Sequence, residues 1–356
     1  MKNSSNSDKF NKKIQNAVDA PEQPAGFEEE INTFLEKRSL DDVLKSWLEI
    51  LADDPDNTEA LVNAGSSLFL KGDEEAAEQY FQKAKELEPN NYFVYFTIAG
   101  AYLEKGKYEK AIIFYRKALE LCPENPDIYA GLGAAFYEIN KMSEAIDYYN
   151  IAIKLNPHKQ EYFANCANVY LEKGDNASAI EYYKKALELD DTDYKTAICL
   201  GNAYTEIKEY EQAYECFETA IEIAPDYHKT YLCYGIAKSN AGEVRDAIEK
   251  YKKAISLEPN DEKAYIILGN THVERNFYEE AIKYYQKAIE INAKNVLSYV
   301  ATGNTYTMMG DISAALDYYR KALQIEPDNA KIKSLYEEAV EEYASMAVRK
   351  ITEEDN

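Results

Sequence analysis

Seven of the ten prolines, Pro55, Pro89, Pro123, Pro157, Pro225, Pro259 and Pro327, are separated by 34 residues or a multiple of 34. A fixed period of this length is the signature of a repeat architecture, in which no single segment buries its apolar face alone. Setting the frame so that these prolines hold position 32 gives eight repeats without an insertion: 58–91, 92–125, 126–159, 160–193, 194–227, 228–261, 262–295 and 296–329.

Residue type follows the frame. Position 8 is always Gly or Ala, from Gly65 to Gly303, and a small side chain there lets two helices approach closely. Position 15 is Gly in five repeats, Asn140 and Asn276 in two, and Lys208 in one, which predicts a positive φ ending a helix. Positions 20 and 27 are Ala throughout, and position 24 is always Phe or Tyr. Apolar residues at positions 4, 7, 8 and 11 and again at 20, 24 and 27 have the i, i+3/i+4 spacing of amphipathic helices. Each repeat therefore reads as two helices joined by the position-15 turn, with the proline stopping the second. The 32 tyrosines are explained by the repetition.

The run Tyr129-x2-Leu132-Gly133-x2-Phe136, then Ala145-x3-Tyr149, Ala152 and Pro157, resembles the tetratricopeptide repeat family, and the other seven repeats match it nearly as well. The resemblance implies an all-α fold: a right-handed α-solenoid superhelix of stacked helix-turn-helix repeats. It covers about three quarters of the chain and is specific for fold, whereas arrays of this family bind many unrelated proteins.

The ends depart from the frame. Residues 24–57 read as a degenerate repeat or cap, with Phe27, Phe34, Val43 and Trp47 in register but Glu30 and Ile31 at the positions for an apolar and small pair. Residues 1–23 read as a disordered polar leader. Residues 330–351 read as a capping helix with an apolar face of Ile332, Leu335, Ala339, Tyr343, Met346 and Ala347, and 352–356 as an acidic tail.

Composition narrows the partners. With 40 Lys and Arg against 64 Asp and Glu, the net charge of −24 disfavours nucleic acid and anionic membranes. No stretch approaches the ~18 apolar residues of a spanning helix, and nothing reads as a signal peptide, so the expected location is cytoplasmic. Five irregularly spaced cysteines argue against a disulfide framework. His158, His228 and His272 have no metal-ligand spacing, and His272 reads as a packed substitute for the aromatic usual at position 11. There is no phosphate loop, Cys-x-x-Cys pair or nucleophile elbow. Cys199 and Cys233, both at position 6, read as small groove-edge residues. The expectation is a chain without catalytic residues, metal or cofactor.

At about 100° per residue, positions 2, 5, 9, 12 and 13 cluster well away from the packing stripe of the first helix. In the family such positions line the concave surface. Position 5 is wholly apolar and includes Val62, Phe96, Ile198, Leu232, Ile266 and Val300, which predicts pockets. Position 9 carries Asn168, Asn202, Asn270 and Asn304, amides suited to a peptide backbone. Position 13 is a carboxylate ladder of Glu104, Glu138, Glu172, Glu206 and Glu274, a track for Lys and Arg of a partner. Position 2 changes from Glu59, Asp127 and Glu161 to Lys195, Lys229 and Lys263, so it could orient a partner of asymmetric charge. The clamp of family members that hold acidic chaperone tails needs Lys at position 5, which no repeat has. The sixth repeat departs most, with Tyr234, Ile236, Lys238 and Asn240 at positions 7, 9, 11 and 13, and reads as either a looser stack or a partner contact.

The functional expectation is a protein-binding scaffold or adaptor, monomeric or weakly self-associating, that captures an unidentified protein or peptide in its groove. The alternative is the substrate-recognition partner of a separate enzyme such as a transferase. RNA binding would require basic groove positions.

Overall fold

The computed structural model describes the backbone of residues 39–354, with side chains as far as Met346. The expectations for the leader, for Phe27, Glu30, Ile31 and Phe34, and for the side chains of Ala347 and the acidic tail lie outside the described residues.

Among the described residues every regular element is an α-helix, and the chain divides between Pro157 and His158 into two compact units. The first unit begins with α1 (Leu40–Asp53) and continues as the pairs α2 and α3 (Thr58–Lys71, Glu74–Leu87), α4 and α5 (Tyr92–Glu104, Tyr108–Leu121), and α6 and α7 (Pro126–Glu138, Met142–Leu155). The second holds α8 and α9 (Gln160–Glu172, Asn176–Leu189), α10 and α11 (Tyr194–Glu206, Tyr210–Ile223), α12 and α13 (His228–Asn240, Val244–Leu257), α14 and α15 (Glu262–Glu274, Tyr278–Ile291), α16 and α17 (Val296–Met309, Ile312–Ile325), and a closing α18 (Ala330–Glu354).

Local chemistry sets these boundaries. Asn57, Asn91, Asn125, Asp193, Asp261 and Asn295, all at position 34, accept backbone N–H groups of the first helix of the next repeat. A cap of this kind contributes about 1 kcal/mol. Position 15 is left-handed in all eight repeats, at Gly72, Gly106, Asn140, Gly174, Lys208, Gly242, Asn276 and Gly310. Lys208 takes φ 64° because the turn closes through Lys208 N–H to Thr205 O and Glu209 N–H to Tyr204 O. Tyr95, Tyr129 and Tyr231 at position 4 each donate to the carbonyl of the preceding proline, fastening the loop between repeats at 3.0 Å.

Within each pair the alanines at positions 20 and 27 are fully buried, and the aromatic at position 24 lies against position 8. A Cβ added at Gly235 would stand 2.4 Å from the Tyr251 ring, and one at Gly269 2.5 Å from Tyr285. A second layer is built by position 11 stacking on position 23: Tyr102 on Phe114 at 5.3 Å, Phe136 on Tyr148 at 5.2 Å and Tyr306 on Tyr318 at 5.5 Å. His272 takes this place against Tyr284 at 5.2 Å, with Phe277 at its edge. Both of its ring nitrogens are buried without a hydrogen-bond partner.

The closing helix corrects one expectation. Ile332 and Ala339 are buried and Leu335 and Tyr336 pack on the α17 side, but Tyr343 and Met346 are 50% and 46% exposed. Length accounts for Met346: it stands about 24 Å along the 25-residue α18, past the roughly 21 Å of the 14-residue α17, whereas the exposure of Tyr343, about 20 Å along, has no such cause.

Two predictions follow from this packing. Gly235→Ala should destabilise the chain by about 1–2 kcal/mol, because displacing the Tyr251 ring outweighs the gain in helix propensity. Gly100→Ala, whose Cβ meets nothing nearer than the Tyr115 hydroxyl at 3.8 Å, should stabilise by up to about 1 kcal/mol. Urea denaturation of the two variants reads the opposite signs.

Burial is the main cause holding the His272 pKa below its ordinary value, Lys252 and Arg275 adding to it and Glu280 opposing. The unfolded chain thus takes up a proton more readily at this residue. Its contribution is present above about pH 6.5 and is lost as pH falls through the lowered folded value. His272→Phe should raise stability by about 1–2 kcal/mol near neutrality by removing orphaned nitrogens. It should also flatten the decline that sets in as pH falls below about 6.5, as followed by urea titration above and below that pH.

Candidate functional site

Positions 2, 9 and 13 of a first helix fall within about 20° of one line along its surface, opposite the packing stripe. In the second unit this line carries the candidate residues of α8, α10, α12, α14 and α16. Lys195, Lys229, Lys263, Glu172, Glu206, Glu274 and Asn270 are exposed, and Asn168, Asn202, Asn304 and Val300 are half-buried. In the first unit Glu104 and Glu138 are exposed, and Phe96 is half-buried edge-on to Tyr115.

Four of the six position-5 candidates do not supply the expected pockets, Phe96 and Val300 remaining half-buried. Val62, Ile198, Leu232 and Ile266 are all buried. Position 5 lies about 60° off the exposed line, enough for a neighbouring helix to cover it, so these four side chains form the support beneath the surface and offer a partner little area.

The asparagines are held by a partner that sequence reasoning missed. Tyr183 donates its hydroxyl to Oδ1 of Asn168 at 2.5 Å, Tyr285 to Asn270 at 2.6 Å and Tyr319 to Asn304 at 2.8 Å. Each bond joins position 24 to position 9 of the same repeat, fifteen residues apart. With the amide oxygen engaged by a core tyrosine, the NH2 group is left as the donor these asparagines can offer a partner. Burial pushes the Tyr285 hydroxyl up to about 12 and raises Tyr319, so both keep the proton they donate. Asn202 is the exception, because position 24 of its repeat is Phe217. Asn202 instead neighbours Cys233, whose raised pKa it moderates.

The charged residues sit at opposite ends of the same helices. Lys195, Lys229 and Lys263 are the second residues of α10, α12 and α14, while Glu172, Glu206 and Glu274 end α8, α10 and α14. Among the described residues the three lysines, Glu206 and Glu274 form no ion pair. The N-terminal caps beneath the lysines are engaged: Asp193 accepts from the backbone of Lys195 and Thr196, and Asp261 accepts from Lys263 N–H and lies 3.3 Å from His228.

The sixth repeat is tied rather than loose. Lys238 lies 3.6 Å from the Tyr214 ring centroid and pairs with Glu243 at 2.7 Å, and Tyr214 donates to the same carboxylate at 2.8 Å. Tyr234 donates to Glu218 at 2.8 Å. These bonds hold the Glu243 carboxyl below its ordinary range, Lys238 contributing most.

The five cysteines are free. Burial pushes Cys166 up to about 12 and Cys216 to about 11 and raises Cys199 and Cys233, so all four are thiols at neutral pH, the unreactive form. Among the described residues no group of three or more His, Cys, Asp or Glu is placed to hold a metal ion, and no helix is long and apolar enough to cross a membrane.

No curated protein matches the chain significantly in sequence. Among solved structures, a tetratricopeptide repeat protein from Parabacteroides merdae aligns at 19% identity and TM-score 0.57, over 70% of this chain and 98% of its own. The C-terminal part of a TPR repeat-containing protein from Cytophaga hutchinsonii aligns at 21% identity and TM-score 0.50, over 67% and 98%. The Cut9–Hcn1 hetero-tetramer of the APC/C aligns at 18% identity and TM-score 0.52 over 85% of this chain, which spans only 60% of the chain it matches there. These likenesses establish the stacked helix-pair fold. Models described as TPR repeat or tetratricopeptide repeat match residues 58–91, 99–140, 126–159, 160–193, 194–227, 269–310 and 297–329, leaving out the sixth repeat with its Lys238 network. On these matches, which take in most of the helix pairs described above, the chain belongs to the tetratricopeptide repeat family.

Proposed function

We propose that this chain is a non-catalytic scaffold that takes an extended protein segment along the exposed line of its second unit. Repeats of this family build protein-interaction scaffolds, and at that level the assignment is general. The observation that carries the finer reading is the row Asn168, Asn270 and Asn304, whose oxygens are tied by tyrosines, which leaves their NH2 groups as the donors for a partner. A fixed amide donor recognises a backbone carbonyl whatever the side chain, which suits a segment read by its main chain. A pre-set orientation also lowers the entropy lost on binding.

The raised pKa values of Cys166, Cys199, Cys216 and Cys233, all held as thiols at neutral pH by desolvation, support a binding role over a chemical one. Five free thiols fit a reducing compartment, and we place the protein in the cytoplasm. The exposed glutamates and lysines add rate and orientation to encounter more than affinity. The chain acts as a monomer that presents this surface to its partner.

The test replaces Asn168, Asn202, Asn270 and Asn304 together by Ala, with helicity checked by circular dichroism. Four hydrogen bonds at about 0.5–1.5 kcal/mol each should cost roughly 3 kcal/mol, or about a hundredfold in affinity. In a pull-down with quantitative mass spectrometry, the specific prey of the wild type should be lost from the variant. Retention of the same prey at the same yield would place binding elsewhere on the chain.

A further inference from the structure

We infer that the segment bound by the second unit is an extended strand whose side chains alternate between acidic and basic. The inference rests on the amide row being the site. Two observations carry it further: what the amides require, and how the charges flank them.

The NH2 groups of Asn168, Asn270 and Asn304, left as donors by their tyrosine-bound oxygens, need backbone partners with free hydrogen-bonding groups. A helical ligand has none along its length, because its N–H and C=O groups are satisfied internally. An extended ligand has a full row of them on each edge. Such a strand stands with one hydrogen-bonding edge against the amides, and its side chains then project alternately to the two sides.

The two sides carry opposite charge. Lys195, Lys229 and Lys263 begin α10, α12 and α14, and Glu172, Glu206 and Glu274 end α8, α10 and α14. Eleven residues separate positions 2 and 13, about 16 Å along a helix. A strand with both sets of side chains is about 10 Å thick, which leaves room on each side for a lysine or glutamate head group to meet it. The lysines, Glu206 and Glu274 have no ion-pair partner among the described residues, and the negative end of each helix dipole reinforces the glutamate side. A strand in this channel therefore places carboxylates toward the lysines and cations toward the glutamates. Residues of opposite sign at alternate positions satisfy both walls, whereas a block of one sign sets every second side chain against a wall of like charge.

The probe is a fluorescently labelled peptide of strictly alternating Glu and Lys, compared with its isomer in which the same residues form one acidic and one basic block. Composition and net charge are identical, so only the order is read. By fluorescence anisotropy with the full chain at low salt, the alternating peptide should bind at least about tenfold more tightly than the block isomer. Replacing Lys195, Lys229 and Lys263 together by Glu, exposed positions where circular dichroism should show unchanged helicity, should abolish that preference. Equal binding of the isomers, no binding of either at millimolar concentration, or a preference that survives the triple substitution overturns the inference. The combined asparagine variant separates the two levels. Equal binding that is lost in that variant leaves the groove reading standing and removes only the alternation, whereas equal binding that survives it removes both.

Discussion

The contact on which the structure depends is the aromatic ring at position 24 pressed against the small residue at position 8. At Gly235 and Gly269 the ring of Tyr251 or Tyr285 occupies the space that a Cβ would need, so the two helices of a repeat are spaced by a ring lying on bare backbone. This spacing also decides what reaches the surface. In repeats 4, 7 and 8 the tyrosine crosses the interface and its hydroxyl emerges beside position 9, where it binds the asparagine oxygen. Phe81 and Phe217 show that the ring alone suffices for packing, since both are buried as deeply as the tyrosines. The hydroxyl is thus an addition to the core residue that orients a surface amide.

The helix pairs, their turns and their inner faces were legible because each is written locally and eight times over. The left-handed turn at Lys208 was readable from the frame even though the residue type argues against it, since the geometry is imposed by the seven other repeats that use Gly or Asn. The burial of position 5 was not legible. Whether a side chain about 60° from the exposed line is covered depends on how closely neighbouring first helices approach, and no pattern within one repeat encodes that distance. The ties from Tyr183, Tyr285 and Tyr319 left only a faint sequence signal: Asn at position 9 coincides with Tyr at position 24 in three repeats and with Phe217 in the fourth. The face of α18 was readable as apolar, yet the exposure of Met346 follows from the length of a different helix.

The acidity of the chain, net −24, is not spread evenly over the helices that carry the candidate site. Lysines at the start of α10, α12 and α14 lie at helix ends where a cation is disfavoured by the macrodipole, and Glu206 and Glu274 end helices where an anion is disfavoured. Folding does not explain these choices, since each costs a few tenths of a kcal/mol and the opposite arrangement is equally available to exposed side chains. The capping aspartates Asp193 and Asp261 relieve the lysine side by satisfying the helix ends directly. What remains is a surface polarised across its width at a small expense of helix stability.

The sixth repeat shows how far the pattern can be altered without losing the stack. Lys238 replaces the aromatic of position 11 and restores the lost contact by other means, lying on Tyr214 and pairing with Glu243. A cation held between a ring and a carboxylate is stable there because both partners are fixed: Glu243 by Tyr214, and Tyr214 by its own packing. The same repeat interrupts both polar rows of the surface, with Ile236 in place of the amide and Asn240 in place of the carboxylate. Ile236 is 39% exposed, so the middle of the second unit presents an apolar step between amides on either side. The change in the core and the change on the surface therefore fall in one helix, α12, and the first is what lets the second occur without loosening the array.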